Sequence, residues 1–152
     1  MKRQNIISML TFTKKQIKEI SEQLDCGFRA FYHKQTGDLI FVPDTNRYIN
    51  MDTDAWQDEL DKLDENFLDY REIDAMEASD SFRVMADFAE QLPYSKLRDK
   101  LLNALNKTKP FREFKFVIDN SGEERQSWFD FKNKRYIEWT EEQLKIRNEL
   151  DE

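Results

Sequence analysis

Residues 28–43, Phe-Arg-Ala-Phe-Tyr-His-Lys-Gln-Thr-Gly-Asp-Leu-Ile-Phe-Val-Pro, decide how this chain begins to fold. From Phe28 to His33 the pattern has a period of two, as a half-buried strand requires. Leu39 to Val42 is a compact apolar run that stops at Pro43. Between them lies Lys34-Gln35-Thr36-Gly37-Asp38, where Gly37 supplies the positive φ that a tight turn needs. The stretch therefore reads as a β-hairpin.

Upstream, Thr13 followed by Gln16 forms a capping box, and Phe12 is placed to staple onto Ile17. Ile17, Ile20 and Leu24 share one face, and Gly27 suits a left-handed stop, so a helix is predicted over about residues 14–25. Downstream, after a loop at Asp44 to Arg47, a helix over about 54–65 presents Trp56, Leu60, Leu63 and Phe67 on one stripe. Its other face is almost wholly acidic. Phe67 to Ile73 reads as a third strand, with Asp69, Arg71 and Glu72 fitting an edge position.

Beyond Ser79 the pattern is helical. Phe82, Met85, Ala89 and Leu92 form one stripe ended by Pro93, and Leu97, Leu101, Ala104 and Leu105 form another after Ser95. Pro110 suits the first turn of a helix that turns Phe111, Phe114 and Ile118 to the core. Ser121 with Glu124 forms a second capping box, before a helix carrying Trp128, Phe131 and Arg135. Thr140 with Gln143 forms a third, and Trp139 can staple onto Leu144, so a break is predicted near residue 139 before a terminal helix over 140–152. The fold class is α+β: a small antiparallel sheet near the N-terminus with about six helices, read as a single domain over residues 1–152. Residues 1–12 are expected to be a mobile N-terminus.

Taken together, these blocks resemble a bacterial group known as uncharacterised protein family number one-five-eight. The resemblance rests on Phe31-Tyr32 with Thr36-Gly37-Asp38 leading into Leu39-Ile40, on Phe82, Met85 and Phe88, and on the Leu97 to Leu105 helix. Pro110-Phe111 with Phe114-Lys115, then Trp128-Phe129 and Phe131, complete it. It covers about residues 14–140 and implies an α+β fold in a bacterial cytoplasmic setting. The family has no established activity, so the resemblance transfers no catalytic residue.

Composition narrows the function classes. The 152 residues can bury roughly 70% of the unfolded surface, and twelve Phe, five Tyr and three Trp supply bulky core material, which argues against intrinsic disorder. A net charge of -7 disfavours non-specific attraction to nucleic acid or anionic lipid. With Cys26 alone no intramolecular disulfide forms, and the spacings of a zinc site are absent. Lys14 and Lys15 follow the short apolar stretch at Ile6, Ile7, Met9 and Leu10 without a cleavage site, so a secretory leader is not expected. No run approaches a membrane span, and a cytoplasmic location is the default. Gly27, Gly37 and Gly122 are too far apart for a phosphate-binding loop. No cofactor or metal is expected.

His33 is the only histidine and hence the candidate general base of a hydrolase-type enzyme. Its place beside a polar turn also suits an ordinary hairpin residue. Cys26 sits at a helix C-terminus, where the local dipole disfavours a thiolate. Between Asp52 and Asp80, twelve acids face only Lys62 and Arg71, a local charge of -10. An EF-hand begun at Asp52 fails, because Gln57 and Leu63 occupy its Gly and Glu positions. From Tyr94 to Lys115 the balance reverses to +5, with Phe111, Phe114 and Phe116 interleaved.

These features give a non-enzymatic interaction or regulatory module, docking a basic protein partner through Asp58, Glu59, Asp61 and Glu65. The alternative is a nucleic-acid-binding protein using Lys96, Lys100, Lys107, Lys109 and Arg112. Pairing of the acidic and basic segments, within the chain or between copies in a homo-oligomer, is a further use of the same charges.

Overall fold

The computed structural model describes residues 10–47, 50 and 52–151. Its Cα positions fall into two compact units, one of residues up to Ala75 together with those from Tyr136 on, the other Met76–Arg135.

In the first unit the chain opens with α1 (Lys14–Asp25), and both bonds of the predicted capping box form. Thr13 N–H donates to Gln16 Oε1 at 2.9 Å and Gln16 N–H donates to Thr13 Oγ1 at 3.1 Å. Gly27 ends the helix at φ +90°, a conformation that side-chain-bearing residues rarely adopt. The hairpin follows as β1 (Phe28–His33) and β2 (Leu39–Pro43). Its turn closes through Gly37 N–H, which donates to His33 O at 2.9 Å with Gly37 at φ +78°. The third strand, β3 (Tyr70–Ile73), pairs antiparallel with β1 on the other side, giving the order β2-β1-β3.

Strand alternation sends side chains to two faces. Ala30 and Tyr32 are buried on the face toward α1, which lies against β1. Phe31, Ile40, Val42 and Tyr70 point the other way and are covered by Trp56, Leu60 and Leu63. These come from a one-turn 3-10 helix (Asp54–Trp56) and from α2 (Gln57–Glu65). Arg29 grips Glu72 from β1 to β3 with two bonds of 2.8 and 2.9 Å.

In the second unit α3 (Ala78–Gln91), α4 (Lys96–Leu105), α5 (Pro110–Asp119) and the first half of α6 (Glu124–Asp151) gather around Phe88, Leu101, Phe114, Ile118 and Trp128. Trp128 meets Phe88 and Phe114 edge to face, with centroids 5.3 and 4.9 Å apart. Removing a buried ring such as Phe88 costs about 3–5 kcal/mol. Ser95 caps α4, its Oγ accepting from Arg98 N–H at 3.2 Å, and Pro110 opens α5.

The structure corrects several local expectations. The strand expected from Phe67 begins only at Tyr70, because Asn66 O and Phe67 O accept from Asp69 N–H and Tyr70 N–H and wind Phe67–Asp69 into a 3-10 turn. Phe67 leaves the buried stripe and is 68% exposed. Phe111 is also exposed, since Phe114, Val117 and Ile118 carry the inward face of α5 and Phe111 lies at its margin. Ser121 does not open α6; its hydroxyl turns back to Ile118 O at 2.6 Å, closing α5 instead.

The break expected near residue 139 is absent, and α6 runs through it for 28 residues. Thr140 is fully buried, and Ser21 of α1 donates to its Oγ1 at 2.8 Å. A tertiary partner has taken the hydroxyl that the local pattern assigned to a cap. The lead-in of residues 1–12 lies outside the described residues as far as residue 9. Leu10 O accepts from Asn148 Nδ2 at 3.0 Å, and Phe12 meets Tyr32 edge to face.

Candidate interaction surfaces

His33 ends β1, and its ring serves the hairpin. Nδ1 accepts from the Gln35 and Thr36 N–H groups at 3.1 and 3.3 Å, and the ring stands edge-on to Tyr70, with centroids 5.1 Å apart. Among the described residues no carboxylate is hydrogen-bonded to it. Cys26 is exposed at the C-cap of α1, where its N–H is held by Glu22 O. Nothing in these contacts brings His33 and Cys26 together.

On α2 the partly buried Leu60 and Leu63, packed onto the sheet, fix the opposite side as the solvent face. Asp58, Asp61 and Glu65 are spaced by three and four and so fall on one exposed stripe. Glu59 lies on the flank, half-buried. Asp61 accepts from Gln57 Nε2 at 2.8 Å. No Lys or Arg among the described residues forms an ion pair with these four carboxylates.

Asp58 and Glu59 stand in the first turn, where the helix dipole welcomes negative charge. Asp64 and Glu65 stand at the other end, where it opposes them by a few tenths of a kcal/mol each. Directly beyond that end, Phe67 and Leu68 are 68% and 69% exposed, with Asp69 beside them. The acidic helix thus runs into an uncovered apolar pair. Sequence reading missed that pair by counting Phe67 as core; the Asn66 and Asp69 turn formers were the available signal.

The cationic segment is divided. Lys96 and Lys100 are exposed one turn apart on α4, and Lys107 and Lys109 are exposed in the connection to α5. Arg112 is taken up by Glu113 at 3.0 Å and Lys115 by Asp119 at 3.3 Å. Asp119 also accepts from Arg125 at 3.2 Å, and that bond, seconded by Lys115, holds its carboxyl below the ordinary range. Phe114 is core, whereas Phe116 is 68% exposed and Phe111 43%. Tyr94 is exposed with the Arg98 guanidinium stacked 4.6 Å from its ring centre.

A family model described as Uncharacterised protein family (UPF0158) matches residues 6–151. The chain belongs to this family. A relative within it, the UPF0158 protein PA5073 of Pseudomonas aeruginosa, is 30% identical over 96 residues, 62% of this chain. That match spans 63% of the relative's length. No solved structure matches the chain. The family carries no known activity, so membership assigns none of the residues above a role. Among the described residues no helix is long and apolar enough to cross a membrane, and no cluster of three or more His, Cys, Asp or Glu is arranged to hold a metal ion.

Proposed function

We propose that this member of the family is a non-enzymatic interaction module whose acidic helix α2 and the Phe67–Leu68 pair together dock a basic protein partner. The observation that carries the reading is the exposure of Phe67 and Leu68 at the end of a helix whose carboxylates have no cationic partner among the described residues. Surface charge alone gives little affinity in water, whereas a large apolar side chain that becomes desolvated gives most of it. Carboxylates around such an anchor steer a cationic partner and reject anionic ones. Cations arriving beside Asp64 and Glu65 would also relieve the opposition of the helix dipole.

The test separates anchor from charge. Phe67→Ser with Leu68→Ser is expected to weaken capture of a basic partner with its salt dependence kept. Asp58→Asn, Asp61→Asn and Glu65→Gln together are expected to flatten the salt dependence. Binding unchanged in both variants removes this surface from consideration.

A second reading, nucleic-acid binding through Lys96, Lys100, Lys107, Lys109 and Arg112, draws support from the exposed rings of Phe111 and Phe116. It comes second because Arg112 and Lys115 already have carboxylate partners. Retention of nucleic acid at low salt, released as salt rises, is its signature.

A further inference from the structure

The acidic surface has a complement on the same chain. Residues 76–135 hold twelve Lys and Arg against ten Asp and Glu, a net +2, while the other unit carries -9. Lys96, Lys100, Lys107 and Lys109 are exposed without ion-pair partners among the described residues. Phe116 is exposed at 68% and Phe111 at 43% on α5 of the same unit. Each unit therefore displays exposed apolar side chains together with carboxylates or lysines that have no ion-pair partner among the described residues, and the two sets of charges are opposite in sign.

From this complementarity we propose that the basic partner of the acidic surface is the basic surface of a second copy of this chain. The inference rests on the acidic-surface reading above and names its partner. Phe67 and Leu68 of one copy pack against Phe116 of the next. Asp58, Asp61 and Glu65 then lie opposite Lys96, Lys100, Lys107 and Lys109. The rings and the leucine supply the desolvated anchor, and the carboxylate–lysine pairs set partner choice and orientation.

Two copies of net charge -7 repel at long range. At about 0.15 M salt, however, the screening length is about 8 Å, so distant charges fade while facing ones still act. Because the two surfaces differ, the contact is heterologous. It either closes a ring or leaves a free acidic surface at one end and a free basic one at the other.

The experiment uses the full chain in sedimentation equilibrium over a concentration series at about 0.15 M salt. Wild type is expected to self-associate. An acid-dead variant (Asp58→Asn, Asp61→Asn, Glu65→Gln) and a base-dead variant (Lys96→Gln, Lys100→Gln, Lys107→Gln, Lys109→Gln) are each expected to lose at least about tenfold in association. All seven positions are solvent-exposed, and far-UV circular dichroism checks that both variants keep their helices.

Mixed one to one, the two variants retain a single complementary contact, the intact acidic surface of one against the intact basic surface of the other. They are expected to form a heterodimer that grows no further. Phe67→Ser with Phe116→Ser in wild type is expected to lower association at least about tenfold with every charge in place. Wild type that stays monomeric overturns the proposal, and so does a mixture that stays monomeric while wild type associates. Nucleic acid carried on the purified basic surface overturns it as well, by assigning that surface elsewhere. If monomeric wild type still binds a lysine-rich peptide in a manner that depends on Phe67 and Leu68, self-association falls and the acidic docking surface stands. If it binds neither, both fall.

Discussion

Thr140 separates two accounts of the long helix sharply enough to test by substitution. As the N-cap of a terminal helix, it would tolerate Asp, one of the best capping residues. In the structure it sits inside α6 with no exposed surface, 2.8 Å from the Ser21 hydroxyl, whose single proton is shared with Ile17 O at 2.7 Å. Thr140→Val keeps the shape and removes one buried acceptor, and Ser21 still has Ile17 O. The cost is the net worth of one hydrogen bond, about 1 kcal/mol, or about 2–4 °C in melting temperature for a chain of this size. Thr140→Asp places a carboxylate where no cation waits and costs upward of about 3 kcal/mol.

Adding Ser21→Ala to Thr140→Val removes both partners at once, so the double variant is expected to be less destabilised than the two single costs combined. Urea unfolding followed by far-UV circular dichroism measures all five proteins: wild type, Thr140→Val, Thr140→Asp, Ser21→Ala and the double variant. If Thr140→Asp were as stable as wild type, the hydroxyl would be capping a helix start, and the continuous α6 would be wrong.

Gly27→Ala is expected to cost more than Gly122→Ala, measured by thermal unfolding. Both residues have positive φ, but a Cβ at Gly27 would come within 2.8 Å of the Arg47 side chain while one at Gly122 meets nothing within 4 Å. His33→Ala removes the acceptor of two turn N–H groups and is expected to cost about 1 kcal/mol, whereas His33→Asn, which can still accept from the turn, loses less. Asp119 titrates below its ordinary 3.8, chiefly through its bond to Arg125. Its stabilising contribution is therefore complete above that pH and disappears as the pH falls through the lower folded value. Asp119→Asn is expected to flatten this acid limb, and an NMR titration of the Asp119 carboxyl carbon in wild type reads the shift directly.

Local rules succeeded at several helix starts and at the hairpin turn. Thr13 and Gln16, Gly37 in its turn and Pro110 opening α5 each answer to neighbours in sequence, and each is found in its expected role. At Thr140 they failed because a distant element competed for the same group. Thr140 matched a capping pattern, yet Ser21, 119 positions away, holds its hydroxyl within the core. The rings of Phe67 and Phe111 looked like core by periodicity alone. At Phe67 a turn ends the stripe, and at Phe111 the helix face has narrowed to Phe114, Val117 and Ile118. The charges of the candidate surfaces were legible in full, but their pairing was not. Glu113 and Asp119 occupy Arg112 and Lys115, while the acids of α2 pair with no cation among the described residues.

The three indoles are distributed so that each watches a different part of the molecule. Trp128 is packed among the rings of the helical unit. Trp56 lies over the sheet beside Phe28. Trp139 donates its indole N–H to Asp74 O, just past the end of β3, at 2.8 Å. Variants that keep one tryptophan and carry Phe at the other two would therefore emit from a single known place. Their fluorescence during denaturation would show whether the helical unit and the sheet unit come apart in one step or in two.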